Sequence, residues 1–287
     1  MSKFQVLVAK LAAGLLCLAP VVAGAAINCS ITSVSSITEA YSNAFGVDSV
    51  TTGAYTIFCT RLSTDANTFA WQLGANNGQN AAGAQNRGAN GGNRINYETY
   101  RINGGGFPNG NRWQDAAATR FTGTINFGSS LNASTTGTFY LRTATGQNPA
   151  AGVYTDLVTV TLRNSAGTSI GTTTFNVAIT VAAACQITAP PGDLNFAYTS
   201  LQAAAASAST TFALRCTNGH AYSMALDSTS NSLLGLTYTL GLSSSNATGN
   251  GASQTFTING SIAANQAGTC STGTCTGTQT RTLTITY

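Results

Sequence analysis

The sequence predicts an all-β protein made of two β-sandwich domains, and three observations carry that prediction. Apolar side chains alternate with polar ones, most clearly in Thr172–Val181, where Phe175, Val177, Ile179 and Val181 are interleaved with Thr174, Asn176 and Thr180. A period of two is what a strand shows when one face meets a core and the other meets water. Cysteine spacing repeats: 29 residues separate Cys29 from Cys59, and 30 separate Cys185 from Cys216. Thr- and Val-rich runs are punctuated throughout by Gly and Asn, the pattern of short strands joined by turns.

Taken in order, residues 1–26 read as a secretory signal. Lys3 and Lys10 give a basic start, Leu11–Val22 is apolar, and Ala23-Gly24-Ala25 forms a small-residue cleavage site. The apolar run is too short for a membrane span, and Leu16 before Cys17 argues against a lipid-attachment box. Removing the leader removes both lysines, so the formal charge of +4 falls to +2 and every basic side chain left is an arginine. So sparse a charge excludes a nucleic-acid binder, which concentrates Lys and Arg. Disorder is excluded too, since that needs high charge and few apolar residues. About 260 mature residues suit two domains, placed at 27–182 and 183–287 with Ala182–Ala184 as the linker.

The two halves run in parallel. Ile27–Ile31 and Ala184–Ile187 open them, and Ala54–Thr60 matches Thr211–Thr217. Strands follow at Phe69–Leu73, Arg94–Tyr100 and Thr138–Arg142 in the first half, and at Tyr222–Leu226, Leu236–Leu240 and Gln254–Ile258 in the second. The first half ends with Val153–Leu162 and Thr172–Val181; the second ends with Arg281–Tyr287 and has no counterpart of Thr172–Val181. Leu201–Thr210 (LQAAAASAST) reads as an irregular connection or a weak edge strand. Six cysteines in an oxidising compartment imply disulfides. Six allow fifteen pairings, and the repeat selects Cys29–Cys59, Cys185–Cys216 and a local Cys270–Cys275. Zinc is the competing use, but there is no CxxC pair and a single histidine.

These motifs carry a family likeness. The two long cysteine spacings, Arg94…Tyr97-x-x-Tyr100 with the later Trp113, and Ala151–Asp156 followed by Val158 and Val160 resemble the spore coat protein U domain. The second half resembles a further copy through Gly235-Leu-x-Tyr238, Phe256–Ile262 and Thr282–Tyr287, although Gly277-Thr-Gln-Thr stands where the Gly-x-Tyr-x-Asp unit belongs. In Gram-negative bacteria such domains are similar to subunits of Csu-type archaic chaperone–usher pili. The resemblance implies immunoglobulin-like sandwiches, of which the second is a pilin domain lacking its last strand. A periplasmic chaperone would supply that strand, an outer-membrane usher would assemble the fibre, and the N-terminal extension of the next subunit would replace the chaperone's strand.

With at most about four residues between the cleavage site and Cys29, at about 3.3 Å per residue, no donor extension is expected. The chain therefore reads as a two-domain tip adhesin exported through the periplasm to the cell surface and active in biofilm formation. Leu283, Ile285 and Tyr287 alternate on one face of the terminal strand and are expected to meet the chaperone or donor strand; they are also core residues of that strand. The Tyr287 carboxylate would suit a basic anchor in the chaperone. Attachment to an abiotic or host surface is expected from the first domain's long loops, Leu73–Arg94 and Asn103–Trp113. Phe107 and Pro108 would contact the surface through apolar burial, with Trp113 as their support or as a core aromatic; the Asn- and Gln-rich loops could instead bind glycans. No enzyme, cofactor or metal chemistry is indicated. His220 lies in a turn motif with no nucleophile beside it, the carboxylates are scattered, and Glu98 and Asp156 read as structural hydrogen-bonding groups. The alternatives are a non-adhesive coat or shaft protein and a secreted lectin-like module.

Overall fold

The computed structural model describes residues 27–41, 49–104, 110–270 and 274–287. The segment 1–26 expected to be a leader, Phe107 and Pro108 lie outside the described residues. The chain is all-β, and its only helical element among them is a 3-10 turn at Ala117–Thr119.

The first half contains β1 (Asn28–Val34), β2 (Ile37–Tyr41), β3 (Ser49–Thr60), β4 (Thr68–Ala75), β5 (Asn86–Asn90), β6 (Asn93–Tyr100), β7 (Phe121–Asn126), β8 (Asn132–Thr143), β9 (Gly152–Asn164) and β10 (Ser169–Val181). They form one curled sheet whose strands fall into two layers of immunoglobulin-like order. One layer runs β1-β3-β8-β6-β5 and the other β7-β4-β9-β10-β2, joined where Ala89 of β5 pairs with Thr155 of β9. The alternation along β10 fixes which side faces in. Phe175, Val177, Ile179 and Val181 are all buried, while Thr174, Asn176 and Thr180 are exposed. β10 is paired along both edges, antiparallel to β9 and parallel to β2. Its inward residues meet a core of Tyr55, Trp71, Trp113, Phe139 and Leu141. Trp113 sits at the centre of the aromatic cluster, 4.9 Å from the Phe139 ring and 6.3 Å from that of Phe175.

The second half contains β11 (Cys185–Ala189), β12 (Ala206–Cys216), β13 (Ala221–Leu226), β14 (Ser230–Leu233), β15 (Leu236–Leu242), β16 (Asn246–Thr248), β17 (Ser253–Ile262) and β18 (Leu283–Thr286). Its two sheets run β11-β12-β17-β15-β14 and β16-β13-β18. Its apolar cluster of Phe212, Leu214, Met224, Phe256 and Ile258 is separate from that of the first half. Disulfides join Cys29 to Cys59, Cys185 to Cys216 and Cys270 to Cys275. The first two staple directly opposed residues of β1/β3 and β11/β12.

Two expectations need correction and one alternative is resolved. Ala206–Thr210 takes the edge-strand reading: it is the first part of β12, paired residue by residue with β17 and not reached by β11 on its other side. Its inward positions Ala206, Ala208 and Thr210 are too small to show an apolar period. The stretch 73–94 is not one loop: β4 runs on to Ala75, and Asn86–Asn90 forms β5, a polar strand hidden by its Asn and Gly content. The final strand is shorter than Arg281–Tyr287, covering Leu283–Thr286 only.

Because β10 fills the gap between β9 and β2, truncating its largest inward side chain leaves a cavity at the aromatic cluster. Phe175→Ala is expected to destabilise the first half by about 3–5 kcal/mol, read as a lowered midpoint in thermal or denaturant unfolding.

Candidate functional site

The strand orders of the two halves correspond. β1-β3-β8-β6 matches β11-β12-β17-β15, and β7-β4-β9 matches β16-β13-β18. The first half then continues with β10 and β2. Among the described residues of the second half no strand occupies either place, and the outer edge of β18 is unpaired. β18 is held on one side only, with Ser223, Met224, Ala225 and Leu226 of β13 opposite Thr286, Ile285, Thr284 and Leu283.

Burial records the same difference. Phe139 and Leu141 of β8 are fully covered, whereas Phe256 and Ile258 of β17 retain 9% and 7% exposure. Val158, Val160 and Leu162 of β9 are buried, but Leu283 and Ile285 of β18 are only half-buried, packed at the margin of the core with Leu194, Leu226 and Leu242. The result is a line of free backbone donors and acceptors along β18 above a partly uncovered apolar floor. Such an edge recruits another strand: the main chain supplies hydrogen bonds and alternate side chains enter the floor. Leu283 and Ile285 are part of that floor. Tyr287 is not: it is 58% exposed, its ring lying edge-on 6.5 Å from that of His220.

In the first half, residues 111–113 run back alongside β6, where Tyr100 and Arg112 form an antiparallel bridge. Trp113 is 1% exposed, so its ring is no surface contact. Its amide donates to Thr99 O at 2.7 Å and its indole nitrogen to Leu73 O at 2.8 Å, pinning the segment from below. Glu98 lies under the same segment, 1% exposed, and accepts from Arg112 Nε at 2.7 Å. Burial raises the Glu98 pKa to about 7, with Arg112 opposing the shift. Asp115 accepts from both Arg120 and Arg163. Burial pushes its pKa up, but those two arginines outweigh that and hold it below the usual value.

Asp156 is the hub of the turn before β5. It accepts from the amides of Gln79, Asn80 and Leu157 and from the Tyr97 hydroxyl at 2.7 Å. Gly78, at φ +79°, is required there, because a Cβ would fall 1.8 Å from an Asp156 oxygen. These carboxylates hold loops in place. The six cysteines from Cys29 onward are in disulfides, and among the described residues no three His, Cys, Asp or Glu lie close enough to hold a metal ion. No helix among them is long and apolar enough to cross a membrane.

The spore coat protein U domain model matches residues 16–161 and 171–246, more than half of the chain. The chain belongs to the spore coat protein U domain family. The second match ends before β17 and β18. No curated protein sequence matches the chain significantly. Solved structures similar to this family member include the CsuC-CsuE chaperone–tip adhesion subunit pre-assembly complex from archaic chaperone–usher Csu pili of Acinetobacter baumannii (16% identity, 90% of this chain and 98% of that chain, TM-score 0.42). The CupB6 tip adhesin of Pseudomonas aeruginosa is similar at 9% identity, over 85% and 90% of the two chains, TM-score 0.37. The CooA pilin subunit of enterotoxigenic Escherichia coli is similar at 14% identity, over 54% and 97%, TM-score 0.34. The family assignment rests on the sequence match.

The buried carboxylate yields a pH prediction. With its folded pKa near 7 and an unfolded value near 4.5, Glu98 binds more proton folded than unfolded between those limits. Its contribution to stability is therefore full below the lower value and lost as pH rises through 7. Glu39, raised by burial, acts in the same direction. The first half is expected to be less stable at pH 8 than at pH 5 by on the order of 2 kcal/mol, read as a lower unfolding midpoint, and Glu98→Gln is expected to remove most of that slope.

Proposed function

We propose that this protein is a two-domain subunit of a chaperone–usher pilus whose second domain accepts a strand along β18 and whose first domain faces the target surface at the fibre tip. The carrying observation is the correspondence of the two strand orders, with β10 and β2 present in one half and no strand described in their places in the other. A subunit of this kind folds with a chaperone strand at the β18 edge in the periplasm and exchanges it, at the outer-membrane usher, for the N-terminal extension of its neighbour. Leu283 and Ile285 form the floor the incoming strand covers, and Tyr287 lies just beyond it. The domain boundary at 182/183 follows the change of sheet and core between Val181 and Cys185. Export through the periplasm to the cell surface agrees with a leader at 1–26 and with the disulfides. No catalytic role is assigned.

The missing-partner reading is tested by adding, after Tyr287, a flexible Gly/Ser linker and a copy of Thr172–Val181. Supplied in this way, the strand is expected to raise the thermal midpoint of the second half and to slow amide exchange in β18. A control copy with its four inward apolar residues replaced by Ser is expected to do neither. Equal behaviour of both extensions would overturn strand acceptance at this edge.

Adhesion is assigned to the first domain's loops, with Phe107 and Pro108 contacting an abiotic or host surface by apolar burial and Trp113 supporting their loop. Phe107→Ser is expected to reduce attachment of cells bearing the assembled fibre to a hydrophobic surface several-fold. Unchanged attachment would refute the apolar contact and move the assignment to the glycan-binding alternative.

A further inference from the structure

The short linker is only one of the connections between the two halves. In the linker, Thr217 Oγ1 accepts from the Ala184 amide at 3.1 Å and lies 3.2 Å from Ala182 O, so its hydroxyl clamps the chain where it crosses from β10 to β11. A second contact forms far away in sequence, from the loop between β8 and β9. Asn148 Nδ2 donates to Asn250 O at 2.8 Å, and Asn148 O accepts from Asn218 Nδ2 at 3.0 Å. Pro149 is buried behind it, and Ala150 makes a parallel backbone bridge with Asn218.

Both partners in this contact are held rigidly from within. On the first-half side, Gln147 exchanges two hydrogen bonds with the Asn96 backbone, at 2.6 and 2.8 Å. Tyr41 at the end of β2 donates to Gln147 O, and Tyr154 of β9 donates to Ala150 O. On the second-half side, Gly219 N donates to Gly249 O and Gly249 N donates to His220 O, beside the Cys185–Cys216 disulfide. Gly251, at φ +74°, leaves room for the Asn148 amide; a Cβ there would fall 1.8 Å from Asn148 Oδ1. A side chain that seats where the opposing backbone has no Cβ, with its hydrogen bonds made on both sides, is a docked peg.

We infer that Asn148–Ala150 docks into the 217–220 turn and the 249–251 turn, and that this docking fixes the two halves as one rigid body. Domains joined through a small interface ordinarily move independently, so the inference goes against the default. It also goes beyond the proposed function, and it stands whether or not β18 accepts a strand. It does have a consequence there: His220, at the end of the docked turn, touches Tyr287 next to the strand edge. Load applied at β18 therefore reaches the first half through the peg as well as through the linker.

The test uses the full oxidised chain, with residual dipolar couplings measured for amides of both halves. Wild type is expected to fit a single alignment tensor. Asn148→Ala combined with Asn218→Ala removes the exposed peg and one half-buried partner and is expected to need two tensors, with the thermal midpoints of both halves unchanged. Two tensors for the wild type would overturn the inference, as would a single unchanged tensor for the double variant. If the double variant lowers a midpoint, Asn148→Asp provides the second reading. It keeps the volume but replaces the amide donor facing Asn250 O by an acceptor, and it too must separate the tensors.

Discussion

The seating of β10 between β9 and β2 is the constraint on which the rest of this protein depends. A strand in that position satisfies backbone groups on both of its own edges and on one edge of each neighbour, and it brings four apolar side chains over the core. Burying side chains of that size stabilises by roughly 1.5–3 kcal/mol each, a large share of the net stability of an ordinary domain. The geometry is also specific. β2 reaches the second layer because the chain steps from β1 to β2 across only Ser35 and Ser36, with a register shift within the β1/β3 ladder. One short, bent N-terminal segment thus supplies an edge to each layer.

The second half repeats the scaffold up to that step and then diverges. Pro190-Pro191 follows β11, and prolines cannot donate to a ladder, so the segment beyond them enters no sheet. Leu194 and Phe196 still point inward, over Gly260 of β17. The long connection before β18 is fastened to the rest: Thr269 N donates to Leu234 O, Gln266 brackets the Thr237 backbone, and the Tyr238 hydroxyl bonds Gln279. The first sheet is stapled by Cys185–Cys216 and zipped along the whole β12/β17 ladder. The open edge of β18 is therefore presented by an anchored frame, which is what strand pairing in a defined register needs.

How much of this could be read from the sequence depended on side-chain size. β9 and β10 were legible because large apolar residues alternate with Thr. The five-residue β2 was not, since its inward positions include Glu39, a carboxylate held by Thr143 in the interior. β5 and the start of β12 were hidden because Asn, Gly, Ala and Ser carry no apolar period, and pairing rather than burial defines them as strands. The correspondence of the halves was visible in the cysteines and aromatic motifs. The parallel β2/β10 ladder and the Asn148 contact were not, because both join residues more than sixty positions apart with no motif to mark them.

The charges show how the two halves divide their work. Asp65, Glu98, Asp115, Asp156 and Asp227 each accept a backbone or arginine hydrogen bond, and Glu39 one from a threonine. Carboxylates here are consumed in pinning loops, and the arginines are drawn in with them: Arg112, Arg120 and Arg163 all close on Glu98 or Asp115. What the first half leaves facing water is mostly Thr, Ser, Asn and Gly with isolated apolar residues. A surface of that composition has little long-range field with which to select a charged partner. Contacts open to such a surface are neutral hydrogen bonds and apolar area. The opposite half does the complementary thing, leaving backbone rather than side chains unsatisfied along β18. The first half thus offers a surface of neutral composition and the second an unpaired main-chain edge.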